Sequence, residues 1–200
     1  MAKARLRIDR SAPGPRIISM LLLVGMIALF MWGFKYGAGL LYRRFYPQHY
    51  NGLVEKYSAE NNLDEALVYA VIYCESGFDP DAESSVGARG LMQITSDAFD
   101  WAMFKRKETR ELSFDMLRDP ELNIEYGCYL LGLFKEEFTY DENALCAYHA
   151  GRSQTKKWLA DESCASDGIV KHIPFDDTAA YVAKVIKTRD IYKNIYYGGK

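Results

Sequence analysis

This chain of 200 residues lacks an excess of either charge. Lys and Arg total 25 against 27 Asp and Glu, a formal net charge of -2, so no basic footprint for a nucleic acid is present. Metal-ligand and redox spacing is missing as well. Cys74, Cys128, Cys146 and Cys164 form no CxxC pair and His49, His149 and His172 are scattered, so neither a metal nor a cofactor is expected. There is no internal repeat and no low-complexity run. A second long apolar segment is also absent, which excludes a polytopic transporter, and no segment alternates with the period of a strand.

What is present suits one helical domain with an appendage. Residues 1–16 are basic, with Lys3, Arg5, Arg7, Arg10 and Arg16 against Asp9, and Pro13-Gly14-Pro15 forbids a helix there. Residues 17–34 carry no charge, and at about 1.5 Å per residue they reach roughly 27 Å, close to the hydrocarbon thickness of a bilayer. The length of this run, and the want of a small-x-small site before Lys35, favour a retained transmembrane helix over a cleaved signal peptide. Basic residues are more numerous before the run than after it (Lys35, Arg43, Arg44). That predicts an N-terminus inside and the remainder on the outer, wall or periplasmic, side of the cell membrane. Residues 35–49 read as a juxtamembrane linker, in which Tyr36, Tyr42, Phe45 and Tyr46 resemble an interfacial belt.

Residues 50–197 read as the working domain, all-α. Leu63, Ala66, Leu67, Ala70, Val71 and Cys74 repeat at helical spacing, with Asn61 or Asn62 as cap and Asp64 and Glu65 in the first turn. A loop from Ser76 to Gly90 follows, and Leu91-Met92-Gln93 opens a further amphipathic segment. Ser96 caps a short helix, after which Lys105-Arg106-Lys107-Glu108 reads as a solvated face. Asp119-Pro120-Glu121 starts a long central helix whose stripe is Leu122, Tyr126, Tyr129, Leu130, Leu133, Phe134 and Phe138; Gly127 and Gly132 in it imply close helix contact. Helices over 141–150, closed by Gly151, over 153–160 and over 177–197 complete the pattern, and residues 161–176 form a polar loop able to rim a cleft. Cys74, Cys128 and Cys146 sit in helical patterns as buried thiols, although a domain outside the cell would permit a disulfide.

Glu75 is the candidate centre. It ends its helix on the border of the apolar stripe, so partial burial and the negative helix end both favour its protonated form, the state a general acid needs to cut a glycosidic bond. Most such enzymes use two carboxylates. The nearest second candidates, Asp79, Asp81 and Glu83, lie on a loop where solvation keeps them ionised.

Glu75-Ser76-Gly77-Phe78-Asp79-Pro80, followed by Ser84-Ser85-Val86-Gly87-Ala88-Arg89-Gly90-Leu91-Met92-Gln93, resembles the signature of the lytic transglycosylase family, whose domain is similar to goose-type lysozyme. Ala147-Tyr148-His149-Ala150-Gly151 and Ile173-Pro174-Phe175 with Thr178, Tyr181 and Val182 resemble two later blocks of the same family, in family order. The resemblance implies cleavage of the β-1,4 bond between N-acetylmuramic acid and N-acetylglucosamine in peptidoglycan glycan strands, leaving a 1,6-anhydro end.

Within it Glu75 matches the single acid/base. Ser84 matches a serine that bonds near the acetamido group, although a loop serine also satisfies its own backbone. Gln93 matches a substrate-contacting glutamine, and Met92 serves core or cleft. Tyr148 reads as a contact of sugar or Glu75. Tyr181 matches the tyrosine whose hydroxyl points at the acid, with plain core packing as its other reading. His149 stands where asparagine is usual, exchanging an amide for a titrating ring that bears on substrate contact. Asp177 and Ala179 stand where Glu and Arg are usual, so a supporting ion pair is in doubt. Two other outcomes remain open: a muramidase that lets water attack, and a wall-binding or secretion-assembly module whose catalysis is vestigial.

Overall fold

The computed structural model describes residues 14–198, so most of the basic N-terminal stretch lies outside the described residues. The chain divides into two compact units, one ending at Phe45 and one beginning at Tyr46. The first is a single helix, α1 (Pro15–Phe45), opened by a proline whose missing N–H is not needed there. It is long and apolar enough to cross a membrane, and its large apolar side chains are exposed throughout. It does not stop at residue 34. Residues 35–45 of the expected linker are helical, since no proline interrupts them and Gly37 and Gly39 are tolerated within the helix.

The second unit contains α2 (Asn51–Glu60), α3 (Glu65–Glu75), α4 (Ser96–Arg106), a 3-10 turn (Phe114–Arg118), α5 (Pro120–Glu137), α6 (Asp141–Ala150), α7 (Arg152–Leu159) and α8 (Asp176–Tyr196). A two-stranded antiparallel hairpin, Ala165–Ser166 with Ile169–Val170, sits in the loop expected to be irregular. Its strands are two residues each, too short to leave an alternating pattern. Tyr46, expected in an interfacial belt, is half-buried and packs on the core of the second unit. Its ring lies 5.0 Å from that of Tyr73 and 5.9 Å from that of Tyr192, and its carbonyl accepts from the Tyr196 hydroxyl at 2.8 Å.

Two helix caps differ from expectation. Asp64, not Asn61 or Asn62, caps α3, accepting the Ala66 N–H at 3.0 Å. Asn61 instead closes α2 through the Tyr57 carbonyl at 2.8 Å, and Asn62 takes a left-handed φ of 51° to turn the chain. Thr95 rather than Ser96 caps α4. Arg106 and Glu108 are not simply solvated: Arg106 meets Glu125 at 2.5 Å over the Tyr126 ring, and Glu108 takes the Tyr126 hydroxyl at 2.7 Å. The buried carboxylate of Glu125 thereby joins the end of α4 to α5.

α5 is the central helix, in contact with α2, α4 and α6. Asp119 caps it, accepting the Leu122 N–H at 2.9 Å ahead of Pro120. Its burial is wider than a stripe, including Ile124, Cys128 and Leu131, while Tyr129 and Leu133 are only half-buried. Close approach holds at both glycines, to the loop at Gly127 and to the end of α2 at Gly132. A Cβ at Gly127 would collide with the Met92 side chain from the loop, and one at Gly132 would meet Asn61 Cβ at 3.1 Å.

Asn123, fully buried on α5, fastens that loop. Its Oδ1 accepts the Met92 N–H at 2.8 Å, and its amide donates to the carbonyls of Arg89 at 2.9 Å and Leu117 at 2.8 Å. Asn123→Ala strands the Met92 N–H and the Leu117 carbonyl, while the Arg89 carbonyl keeps the Ile94 N–H, and is expected to cost about 3 kcal/mol of stability in urea unfolding. A loss below about 0.5 kcal/mol would mean that the loop has other anchors of equal worth.

Candidate active site

Helix α3 is buried from Ala66 to Ile72 and packs most extensively against α8, so its last residue emerges at the edge of the core. That residue is Glu75. Ser76 ends the helix and ties it to the loop: its hydroxyl donates to the Leu91 carbonyl at 2.8 Å and accepts the Phe78 N–H at 3.1 Å. Gly77 and Phe78 both take positive φ, 61° and 71°, which turns the chain away within two residues.

The loop then folds on itself through bridges pairing Glu83 with Arg89 and Arg89 with Ile94. Gly90, at φ 76°, lies against Asn123 and the Leu117 carbonyl with no room for a Cβ. Leu91-Met92-Gln93 therefore forms a tight turn, not the start of a helix, with Gln93 at φ 49°.

Three tyrosine and histidine side chains gather at Glu75. The Tyr181 hydroxyl of α8 is buried, faces the carboxyl, and closes a well-directed hydrogen bond with nothing. Tyr148 of α6 lies near enough for Glu75 to act on it, but its hydroxyl donates to the Met92 carbonyl at 2.8 Å. His149 stacks on the Tyr181 ring at 4.5 Å, with its Nδ1 3.0 Å from Thr178 Oγ1. Lys184, which sequence reasoning passed over, donates to the Cys74 carbonyl at 3.3 Å. Its signal was its place three residues after Tyr181, on the same face of α8.

The other expected contacts divide between core, loop backbone and free polar groups. Met92 is fully buried against Gly127 and belongs to the core, not the substrate surface. Tyr148 spends its hydroxyl on the loop backbone, so it positions rather than offers a donor. Gln93 directs its amide N–H groups at the Ala82 and Gly90 carbonyls, at 3.1 and 3.0 Å, leaving only its oxygen free. Ser84 Oγ accepts the Ala88 N–H at 3.0 Å within its own turn, which keeps its O–H proton available.

Asp79 caps a turn by accepting the Asp81 N–H, and Glu83 meets Arg118 at 2.5 Å. Both are engaged elsewhere, and no second carboxylate among the described residues acts on Glu75. Asp177 accepts the Thr178 N–H at 2.7 Å, and Ala179 lines a separate cavity of about 820 Å³ on the outer face of α8. The 161–176 loop rims that cavity through Val170, His172 and Ile173, whereas Glu75 is not part of it.

Burial is the main influence on Glu75 and pushes its carboxyl up to about 7, against the opposing pull of the Tyr181 hydroxyl and then of Lys184. Burial likewise holds Tyr148 and Tyr181 far above the usual phenol range, with Glu75 adding to it. His149 is pushed down by its surroundings, opposed by the Asp177 charge. The arrangement can hold a carboxylic acid half-protonated near neutrality, with a phenol at its side and a polar loop in front.

A helical, lysozyme-like fold with one dry carboxyl at a helix tip defines the class. The Transglycosylase SLT domain family model matches residues 52–168, and the chain belongs to that family. It is 30% identical over 158 residues to the soluble lytic murein transglycosylase of Escherichia coli strain K12, covering 78% of this chain and 24% of that protein. It is 31% identical over 137 residues to membrane-bound lytic murein transglycosylase C of Photorhabdus laumondii, covering 64% and 38%. Among solved structures it resembles a lytic transglycosylase of Pseudomonas aeruginosa described as an inactive glutamate-to-glutamine mutant, with a TM-score of 0.67 and 28% identity over 74% of this chain and 24% of that one. The chain thus spans about a quarter of the length of the soluble relatives.

The raised acid has a consequence for stability. Its folded value of about 7 lies above the ordinary 4.5, so the protonated form favours folding: that contribution is whole below pH 4.5 and falls away as pH rises to about 7. A difference of about 2.5 in pKa is worth about 3 kcal/mol. In urea unfolding, Glu75→Gln is expected to exceed the wild type by that amount at pH 8 and to converge with it near pH 4. Equal stabilities at pH 8 would place the carboxyl in water.

Proposed function

We propose that the chain is a peptidoglycan lytic transglycosylase in which Glu75 is the single acid and base. The observation that carries this reading is the isolation of Glu75: a carboxyl held near pH 7 by burial, with the neighbouring carboxylates Asp79 and Glu83 committed elsewhere. With no second carboxylate among the described residues acting at Glu75, the attacking group comes from the substrate. Glu75 protonates the oxygen leaving the β-1,4 bond while the 2-acetamido oxygen attacks the anomeric carbon. Glu75, now ionised, then takes the proton of the 6-hydroxyl as the 6-oxygen attacks the anomeric carbon, breaks its bond to the acetamido oxygen and closes the 1,6-anhydro ring, which restores both the acetamido group and the protonated acid.

A proton donor that must become a base in the next step works best with a pKa near the working pH. The Tyr181 hydroxyl supports the ionised half of that cycle. Ser84 O–H, Gln93 Oε1 and the exposed edge of His149 are the groups left free to meet acetamido and hydroxyl groups of the glycan, while Tyr148 and Met92 hold the loop behind them.

The exposed apolar surface of α1 supports a membrane anchor, since a helix so uniformly apolar has no favourable place in water. The charge bias supports an N-terminus inside and a catalytic domain on the outer side, facing the wall.

Glu75→Gln is expected to abolish solubilisation of purified cell walls, by at least a factor of about 1000, while wall pelleting still binds the protein. Clearance matching the wild type would remove the acid. Mass spectrometry of the wild-type digest is expected to show 1,6-anhydro ends; reducing ends would make the chain a hydrolytic muramidase.

A further inference from the structure

The reaction above does not use Lys184. Among the described residues, its only hydrogen bond runs from Nζ to the carbonyl of Cys74, the residue immediately before the acid, at 3.3 Å. Its side chain is exposed, so burial does not hold it there. In the last turn of α3 the Ile72 and Tyr73 carbonyls accept the Ser76 and Gly77 N–H groups, whereas the Cys74 carbonyl, at the negative end of the helix beside Glu75, accepts from Lys184. An ionised Glu75 meets that field directly.

We infer that Lys184 is a positioning residue for Glu75: by donating to the Cys74 carbonyl from the adjacent helix, it caps the end of α3 and sets a positive charge beside the carboxyl. This deepens the proposed function and rests on Glu75 as its acid. The geometry is specific to the α3–α8 contact. Tyr181 and Lys184 lie three residues apart on one face of α8, so the register that aims the phenol at the carboxyl also brings the ammonium to the carbonyl behind it.

The groups acting on Glu75 come from α8 and from its own burial, with Tyr181 and Lys184 favouring its ionised form. Cys74 on α3 and Tyr148 on α6 are neutral near pH 7, and both are shifted upward by burial. His149 reaches Glu75 only through the Tyr181 ring and is shifted downward, toward its neutral form. Among the described residues, Lys184 is the cation that acts on Glu75. Without it, burial acts unopposed except by one phenol, and the acid holds its proton more tightly when it must act as a base.

The test titrates the Glu75 carboxyl by carbon-13 NMR in the full chain in detergent micelles, the signal being assigned by its loss in Glu75→Gln. Lys184→Met is expected to raise the midpoint by about half a pH unit, the size of a cation's effect at a helix C-terminus, and Lys184→Arg to restore it. A role limited to packing would leave the midpoint in place. An unmoved or lowered midpoint in Lys184→Met, or one that Lys184→Arg leaves raised, overturns the proposal. The readout needs no turnover. An inactive wild type would remove the catalytic reading and leave the titration intact, whereas a negative titration would remove Lys184 and leave Glu75 as the acid.

Discussion

The packing of α3 on α8 is the constraint from which the site follows. α3 is buried on all sides over Ala66–Ile72, which fixes its rotation and leaves its last turn no freedom to swing into water. Its C-terminal residue must then stand where the core ends, partly dry, whatever its identity. A carboxyl in that place becomes a weak acid because removing water penalises charge more than the surrounding dipoles repay it. Hydrophobic burial, the least specific force in the molecule, thus sets the most specific property of the site.

A dry carboxyl alone does no chemistry, and the loop in front of it is held by a second set of bonds. Asn123 fastens Arg89 and Met92, Ser76 fastens Leu91, and Tyr148 fastens Met92 from the other side. These are polar groups inside an apolar core, each joined to loop backbone that no strand or helix would otherwise satisfy. The loop can therefore present free groups such as Ser84 O–H with a rigid backing, which favours recognition because little order remains to be imposed on binding.

Much of this was legible in the sequence, and the rest was hidden for identifiable reasons. Helix positions, the proline start of α5 and Glu75 as a helix-ending residue follow from periodicity and punctuation, which are local. Met92 takes the core reading of the two the sequence left open, because which face of a loop meets the core depends on Gly127 and Asn123, more than thirty residues distant. Capping by Asp64 in place of Asn61 shows a similar ambiguity at short range, where adjacent residues all suit a helix start and only the path of the preceding helix decides. Lys184 carried no motif at all. It acquires meaning only once α8 lies against α3.

The departure at His149 is of another kind, since there the chain changes chemistry while keeping its architecture. Asp177 lies 3.4 Å from Thr178 Oγ1, and Thr178 Oγ1 lies 3.0 Å from His149 Nδ1. If the threonine hydroxyl gives its proton to the carboxylate, its oxygen accepts from Nδ1–H, and the ring is fixed in the tautomer whose Nε2 bears no proton. An asparagine in this place would offer both a donor and an acceptor to whatever occupies the site; a neutral histidine so tied offers an acceptor alone. The same Asp177 oxygen accepts the Thr178 N–H at 2.7 Å. The stack of His149 on Tyr181 couples the orientation of the phenol beside Glu75 to that of the imidazole, and through Thr178 to Asp177.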